Sequence, residues 1–92
     1  MRIRYDPRAL SDLQDIFDHI AADDRGAATR VIGRIERAIG RLKVLPYSGR
    51  PSRKPGIRIL SVPSLPYVVV HRVFEDFVEI LAIFHTARDH RQ

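Results

Sequence analysis

The sequence contains no cysteine and no tryptophan, and it has one methionine among its 92 residues. Without cysteine the chain has no disulfide framework, no cysteine ligand for zinc and no thiol nucleophile, which fits a reducing compartment. The sequence also lacks an apolar run long enough for a secretory leader or a membrane-spanning helix. These absences predict a protein of the cytoplasm that is not attached to a membrane.

Acidic residues are nearly missing from the middle of the chain. From Arg25 to Arg58 there are ten lysines and arginines but one acid, Glu36, and the formal net charge of the whole chain is +5. One interpretation is a surface for an anionic partner, either nucleic acid or an acidic protein. The other is a basic helix face that keeps the protein soluble. Charge alone does not decide between them.

The length and the hydrophobic pattern predict one small domain over residues 1–92. Residues 2–5 alternate between polar and apolar, as in a short strand. Asp6-Pro7 is a typical helix start and opens a helix predicted over residues 7–22. A second helix is predicted over residues 27–45. The short break between the two favours an antiparallel helical hairpin over a continuous coiled coil.

The second half of the chain predicts a sheet. Residues 46–56 contain three prolines and two glycines and are predicted to be an irregular, basic connector. Strands are predicted at residues 57–62, 67–73 and 77–84. A two-residue turn at Glu75-Asp76 would place Arg72 opposite Glu79, and it would also pair Val70 with Leu81 and Val68 with Ile83. Both faces of this sheet are largely apolar, so a partner is expected on the face that the helices leave open.

The histidines do not have metal-binding spacing. Neither His-x-x-x-His nor His-Glu-x-x-His occurs among His19, His71, His85 and His90, so no metal and no cofactor are predicted. His71 lies in an apolar strand and is predicted to be a core or edge histidine with satisfied hydrogen bonds, not a ligand. Arg72 is predicted to form a cross-strand ion pair with Glu79.

Basic residues also occur where the last predicted strand ends. His85 follows an apolar strand, and Arg88 comes three residues later. A histidine acting as base, together with Arg58 and Arg88 holding phosphate, is a combination suited to metal-free RNA cleavage. The alternative is a charged segment that keeps the sheet soluble.

The ordered set of motifs resembles the toxins of the RelE/ParE superfamily, which belong to bacterial type II toxin–antitoxin operons. The motifs begin with an Ala-x-x-Asp-Leu-x-x-Ile pattern over residues 9–16. The others are Leu45-Pro46-Tyr47-Ser48-Gly49-Arg50-Pro51, Gly56-Ile57-Arg58-Ile59-Leu60, Val70-His71-Arg72-Val73, Val78-Glu79-Ile80-Leu81 and Phe84-His85-Thr86-Ala87-Arg88-Asp89.

This resemblance implies an α+β domain of β-α-α-β-β-β order, with a helical hairpin packed on a small antiparallel sheet. It also implies a toxin–antitoxin hetero-oligomer, in which the acidic, amphipathic C-terminal segment of a cognate antitoxin wraps around the toxin. The residues expected to contact the antitoxin are Leu13, Phe17, Arg34, Arg41, Val68 and Val70.

The two branches of the superfamily act on different targets. RelE-like members cut mRNA on the ribosome, but Val68 stands where that branch tends to carry an arginine, and no tyrosine follows Phe84. The His85-x-x-Arg88-Asp89 ending looks more like ParE, whose members block DNA gyrase. The expectation is therefore gyrase inhibition, with target contacts from Arg58, Arg72, His85 and Arg88.

Two alternatives stay open at the level of sequence. One is an mRNA endonuclease that uses Arg58, His85 and Arg88 around the scissile phosphate, with Arg72 as a further cation. The other is a relative that has lost its toxicity and only binds an antitoxin.

Overall fold

In the computed structural model, which describes residues 1–87, two helices pack on one face of a five-stranded sheet. In chain order the elements are β1 (Arg2–Tyr5), α1 (Pro7–Ala21), α2 (Arg25–Gly40), β2 (Arg50–Pro51), β3 (Ile57–Ser61), β4 (Tyr67–Val73) and β5 (Phe77–His85). The strand order is β1-β5-β4-β3-β2. The predicted α+β fold is confirmed, and the sheet is mixed because β1 lies parallel to β5 at its edge.

Aspartate side chains begin both helices. The Asp6 carboxylate accepts a hydrogen bond from the Arg8 N–H at 2.8 Å, and that of Asp24 accepts one from the Ala27 N–H at 3.0 Å. Because Asp24 caps α2, this helix begins at Arg25, two residues earlier than predicted. Neither helix in residues 1–87 is long and apolar enough to cross a membrane.

The predicted end of α2 at residue 45 is wrong. The α-helix ends at Gly40, and the chain tightens into one 3-10 turn over Arg41–Lys43. Leu42 is buried under this turn, whereas Leu45 is 61% exposed and so takes no part in the apolar stripe of the helix.

The predicted irregular connector contains the short edge strand β2. Arg50 pairs with Ile59 and Pro51 with Arg58. A proline is tolerated here because an edge position does not need its N–H for a second neighbour. Gly49 enters β2 with a φ of +88°, and a Cβ at that position would collide with the carbonyl of Ile59.

The β4–β5 hairpin has the predicted two-residue turn, in which the Phe74 N–H donates to the Phe77 carbonyl at 2.8 Å. The predicted register holds only near that turn, where Arg72 lies opposite Glu79. A bulge follows, with Leu81 as the extra residue, so that Val70 pairs with Ala82 and Val68 pairs with Phe84. The predicted pairs of Val70 with Leu81 and of Val68 with Ile83 are therefore wrong.

The core lies between the helices and one face of the sheet. Its fully buried large side chains include Ile35, Ile39, Leu42, Val69, Val78 and Ile80. The opposite face, here called the outer sheet face, carries half-buried residues that pack outside this core: Ile57, Ile59, Val68, Val70, Arg72, Glu79 and Phe84. The bulge assigns Ile83 to the core and Phe84 to the outer sheet face.

His71 is buried with 0% exposure, as predicted for a core histidine, but the prediction that its ring would be satisfied is wrong. Neither of its ring nitrogens has a hydrogen-bond partner in the described part of the chain. Burial lowers the pKa of His71, and the Arg58 guanidinium lowers it further. The carbonyls of Val69 and Pro46 face the ring and oppose this shift, without reaching hydrogen-bond geometry. His71 is therefore held in its neutral form.

We expect Gly49→Ala to lower the free energy of unfolding by about 1–2 kcal/mol or more, because alanine is strained at positive φ and its Cβ meets the Ile59 carbonyl. Gly40→Ala is the matched control. Gly40 has helical angles, and a Cβ added to it would have nothing within 4 Å, so alanine there should stabilise by about 0.4–1 kcal/mol. Urea titration measures both, and equal effects would contradict this account of β2.

We expect the protein to lose stability as the pH falls below about 6.5. An unfolded chain protonates His71 near its ordinary pKa of 6.5, whereas the folded chain, in which burial lowers this pKa, protonates it only at lower pH. Below this pH the unfolded state binds more protons than the folded state. The free energy of unfolding therefore decreases as the pH decreases, by at most about 1.4 kcal/mol per pH unit.

Urea midpoints at pH 7.5 and 5.5 test this expectation. His71→Gln should flatten the pH dependence, whereas His19→Gln, which changes an exposed histidine, should leave it in place. A wild-type slope that His71→Gln does not alter would contradict the assignment to His71.

Candidate functional site

The residues predicted to bind the target do not form one cluster. Arg58 and Arg72 lie on β3 and β4 towards one end of the sheet, whereas His85 pairs with Tyr67 at the other end. Tyr67 and Arg72 are five residues apart on one strand, which corresponds to about 16 Å. Arg88 lies outside the described residues. Among the described residues, the sheet therefore places His85 away from Arg58 and Arg72.

Arg58 is bound within its own chain. It pairs with His71 in the sheet, and its Nη2 donates to the Gly49 carbonyl at 3.1 Å. Its guanidinium carbon lies 5.8 Å from the centre of the Tyr47 ring, and its Nε is buried without a partner. Arg58 thus holds the segment before β2 against the sheet. It also lines a pocket of about 290 Å³ together with Lys54.

Arg72 lies on the outer sheet face opposite Glu79, but the predicted ion pair is not formed. Within residues 1–87 the structure has a salt bridge between Arg8 and Asp12 and none between Arg72 and Glu79. The Arg72 guanidinium instead lies 5.9 Å from the Phe74 ring centre. Its Nε also lies near Gly56, where an added Cβ would be 3.8 Å away. Ion pairs near the protein surface contribute little free energy, so a contact between the guanidinium and a ring can compete with them.

His85 lies where the chain leaves β5. Its ring meets the Tyr67 ring edge-on, with 5.2 Å between the centres. Its Nδ1 accepts a hydrogen bond from the Ala87 N–H at 3.1 Å, and the next residue, Thr86, donates its N–H to the Pro66 carbonyl at 2.8 Å. The segment after β5 is therefore tied to the connection between β3 and β4.

The spacing between Arg58 and His85 limits the chemistry of the site. Metal-free RNA cleavage requires a base and phosphate-binding cations within hydrogen-bond reach of the same phosphate. The strand partners of Arg58 and His85, His71 and Tyr67, are four residues apart on β4, which corresponds to about 13 Å along the strand. Among the described residues, no three His, Cys, Asp or Glu side chains are grouped as metal ligands.

Two of the residues predicted to bind an antitoxin, Leu13 and Phe17, lie together in a groove on the helical hairpin. Leu10, Gln14 and Ile32 complete this groove, which has a volume of about 320 Å³. Leu10 is 54% exposed, so the groove opens an apolar surface to solvent. We call these five residues the hairpin groove.

The other four predicted residues lie elsewhere. Arg34 donates from Nη2 to the Pro63 carbonyl at 2.9 Å, and Arg41 is exposed just after the end of α2. Val68 and Val70 lie on the outer sheet face. A single partner that contacts all six residues would therefore have to extend around the molecule.

Sequence reasoning missed one set of contacts near His85. The carboxylate of Asp12, on α1, accepts a hydrogen bond from the Ile83 N–H on β5 at 2.9 Å. Arg8 places its guanidinium 4.9 Å from the centre of the Phe84 ring. Asp12 belongs to the Ala-x-x-Asp-Leu-x-x-Ile pattern, but nothing in the local sequence indicates a partner 71 positions away.

Comparisons with known proteins agree with this fold. The family model described as the ParE toxin of the type II toxin–antitoxin system parDE matches residues 3–90. A protein of Sinorhizobium fredii named "Putative toxin Y4kP" is 43% identical over 84 residues, covering 91% of this chain and 86% of the relative. "Toxin RelE2" of Caulobacter vibrioides is 36% identical over 81 residues, covering 88% of this chain and 90% of the relative.

A solved structure gives the same result. One chain of the "Chromosomal ParDE TA system from P. aeruginosa" superposes with a TM-score of 0.83 at 27% identity, covering 92% of this chain and 95% of that one. The resemblance noted in the sequence is thereby confirmed over nearly the whole chain. The chain belongs to the ParE toxin family and is the toxin of a type II toxin–antitoxin system.

Proposed function

We propose that this toxin acts in the cytoplasm by binding and inhibiting DNA gyrase, without cutting nucleic acid, until its cognate antitoxin neutralises it. The observation that carries this proposal is the separation of Arg58 from His85. Their partners on β4, His71 and Tyr67, are four residues apart, which corresponds to about 13 Å along the strand, and this separation disfavours joint action on one phosphate. The match to the ParE family model supports the same target.

The environment of Arg58 gives a second reason to favour binding over cutting. A cation that stabilises a transition state must direct its N–H groups at the place where charge develops. Arg58 donates one hydrogen bond to the Gly49 carbonyl and lies over the Tyr47 ring. These contacts hold the segment before β2 against the sheet. Arg72 keeps its charge on the outer sheet face, where it is available to a partner.

The target contacts in this proposal come from two regions. One is the segment that begins at His85 and contains Arg88. The other is the cationic part of the outer sheet face, where Arg4 lies beside Phe77 and Arg72 lies beside Phe74. Arginine suits such a surface because its planar guanidinium forms paired hydrogen bonds with carboxylates and stacks on rings.

The antitoxin in this proposal covers both apolar surfaces. Leu13 and Phe17 in the hairpin groove accept apolar side chains of the antitoxin, and Val68 and Val70 on the outer sheet face accept others. Arg34 and Arg41 pair with its acidic residues. An extended segment that orders on binding can reach all of these places, because it need not be compact.

We expect the wild-type toxin to inhibit DNA supercoiling by purified gyrase and to induce the DNA damage response in cells while mRNA stays intact. Arg88→Ala should weaken gyrase inhibition by about 10- to 100-fold, the loss produced by removing one charge-assisted hydrogen bond of about 1.5–3 kcal/mol. Arg30→Ala, which removes an exposed cation of α2, is the matched control and should have little effect.

Two results would contradict the gyrase proposal. Rapid mRNA cleavage with intact DNA would assign the protein to the endonuclease class instead. Absence of any growth defect would identify it as a non-toxic relative that only binds antitoxin.

The hairpin groove can be tested with the antitoxin that we expect a neighbouring reading frame to encode. Phe17→Ala should weaken its binding by about 30-fold or more, as expected when an aromatic anchor worth about 2 kcal/mol is lost. Asp15→Ala, on the exposed side of the same helix, should change affinity little. Titration calorimetry measures both, and an unchanged affinity for Phe17→Ala would remove the groove from the interface.

A further inference from the structure

Strand β5 loses its neighbour on one side before it ends. The parallel pairing with β1 covers Phe77 to Ile80, and the Asp6 N–H, just after β1, donates to the Ile80 carbonyl at 2.9 Å. Beyond that point, the Ile83 N–H is bound by the Asp12 carboxylate of α1. Beyond the end of β1, the Asp12 side chain of α1 thus supplies the hydrogen-bond acceptor on this side of β5.

Asp12 and the Ile83 N–H form a charge-assisted hydrogen bond that is partly buried. The Asp12 side chain is only 19% exposed, and its Oδ2 lies 2.9 Å from the Ile83 nitrogen. The same oxygen is 3.7 Å from Nε of Arg8, one helical turn earlier. Hydrogen bonds from a backbone N–H to an ionised carboxylate are stronger than neutral ones, so this bond fixes the position of Ile83.

Arg8 extends the contact by one residue. Its guanidinium lies 4.9 Å from the centre of the Phe84 ring, which the bulge at Leu81 has turned to the outer sheet face. Arg8 is itself 60% exposed, so its ion pair with Asp12 is worth little by itself. Arg8 thus contacts both the Asp12 carboxylate and the Phe84 ring.

On the other side of β5, different contacts hold the next residues. The His85 ring meets Tyr67, and both the N–H and the hydroxyl of Thr86 donate to the Pro66 carbonyl, at 2.8 and 3.3 Å. Residues 83–86 are therefore held from α1 on one side and from the β3–β4 connection on the other. The direction in which the chain departs from the sheet depends on both.

We infer that Asp12, assisted by Arg8, is a positioning residue for His85, the first residue of the target-binding segment. This inference rests on the proposed function, in which that segment contacts the target. Asp12 does not touch the target. It influences where His85 is presented, because it holds Ile83 while Arg8 lies against Phe84, the two residues that precede His85.

A merely structural role for Asp12 makes a different prediction, and the chain offers a matched control. Asp6 caps the same helix through its bond to the Arg8 N–H at 2.8 Å, but its side chain does not bind β5. Asp6→Ala should therefore destabilise α1 without releasing Ile83. Asp12→Asn is the conservative variant, because its carboxamide oxygen can still accept the hydrogen bond from the Ile83 N–H.

The experiment compares Asp12→Ala, Asp12→Asn and Asp6→Ala in the full chain by melting temperature, backbone amide NMR spectra and growth inhibition on expression. We expect Asp12→Ala to shift the amide resonances of residues 83–87 and to reduce toxicity by about tenfold or more. Asp6→Ala should leave those amides in place and stay within about threefold of wild type at a comparable loss in melting temperature. Asp12→Asn should recover most of the toxicity.

Two results would overturn the inference: toxicity that falls in proportion to melting temperature in both alanine variants, or unshifted amides after Ile83 in Asp12→Ala. Failure of the gyrase proposal can be told apart from failure of this inference, because in that case the wild-type toxin itself would not inhibit purified gyrase. The amide shifts and the growth comparison test the positioning role whatever the target is.

Discussion

The extra residue Leu81 in β5 is the constraint on which the rest of the site depends. Side chains alternate along a strand with a period of two, so one inserted residue reverses the faces of everything beyond it. Ile83 thereby enters the core and Phe84 reaches the outer sheet face. Without the bulge, Phe84 would lie under the helices, away from the Arg8 guanidinium. The bulge also leaves Ile83 paired with Val69 while its N–H reaches Asp12.

Local signals were sufficient for most of the fold. Asp6-Pro7 marks the start of α1 through capping chemistry, and the Glu75-Asp76 turn follows from the pattern of the two flanking strands. The cap at Asp24 was missed, so α2 was predicted to begin two residues late. The bulge was not predictable, since Leu81 and Ala82 fit an uninterrupted strand equally well. Strand β2 was missed for a related reason, because the glycines and prolines that argue against regular structure also permit a close approach at a sheet edge.

The candidate site was harder to predict than the fold, because its residues come from distant parts of the chain. Grouping Arg58, Arg72 and His85 by residue type placed them in one cluster, but register separates them by face and by end of the sheet. The Arg72–Glu79 pair shows the limit clearly. Its register was predicted correctly, yet the guanidinium lies beside Phe74. An ion pair near the protein surface contributes little free energy, so its formation is hard to predict from the sequence.

The basic face of α2 affects both the stability of the free toxin and its binding to an antitoxin. Arg30, Arg34, Arg37 and Arg41 recur three or four positions apart and are all exposed, so their like charges destabilise the helix by about 0.2–0.5 kcal/mol per neighbouring pair. In the described part of the chain none of them has a carboxylate partner, and Arg34 binds only a backbone carbonyl. An acidic antitoxin segment would remove this repulsion on binding. The charge that weakens the free helix would therefore strengthen the complex, which is the balance expected of a toxin that must be held inactive.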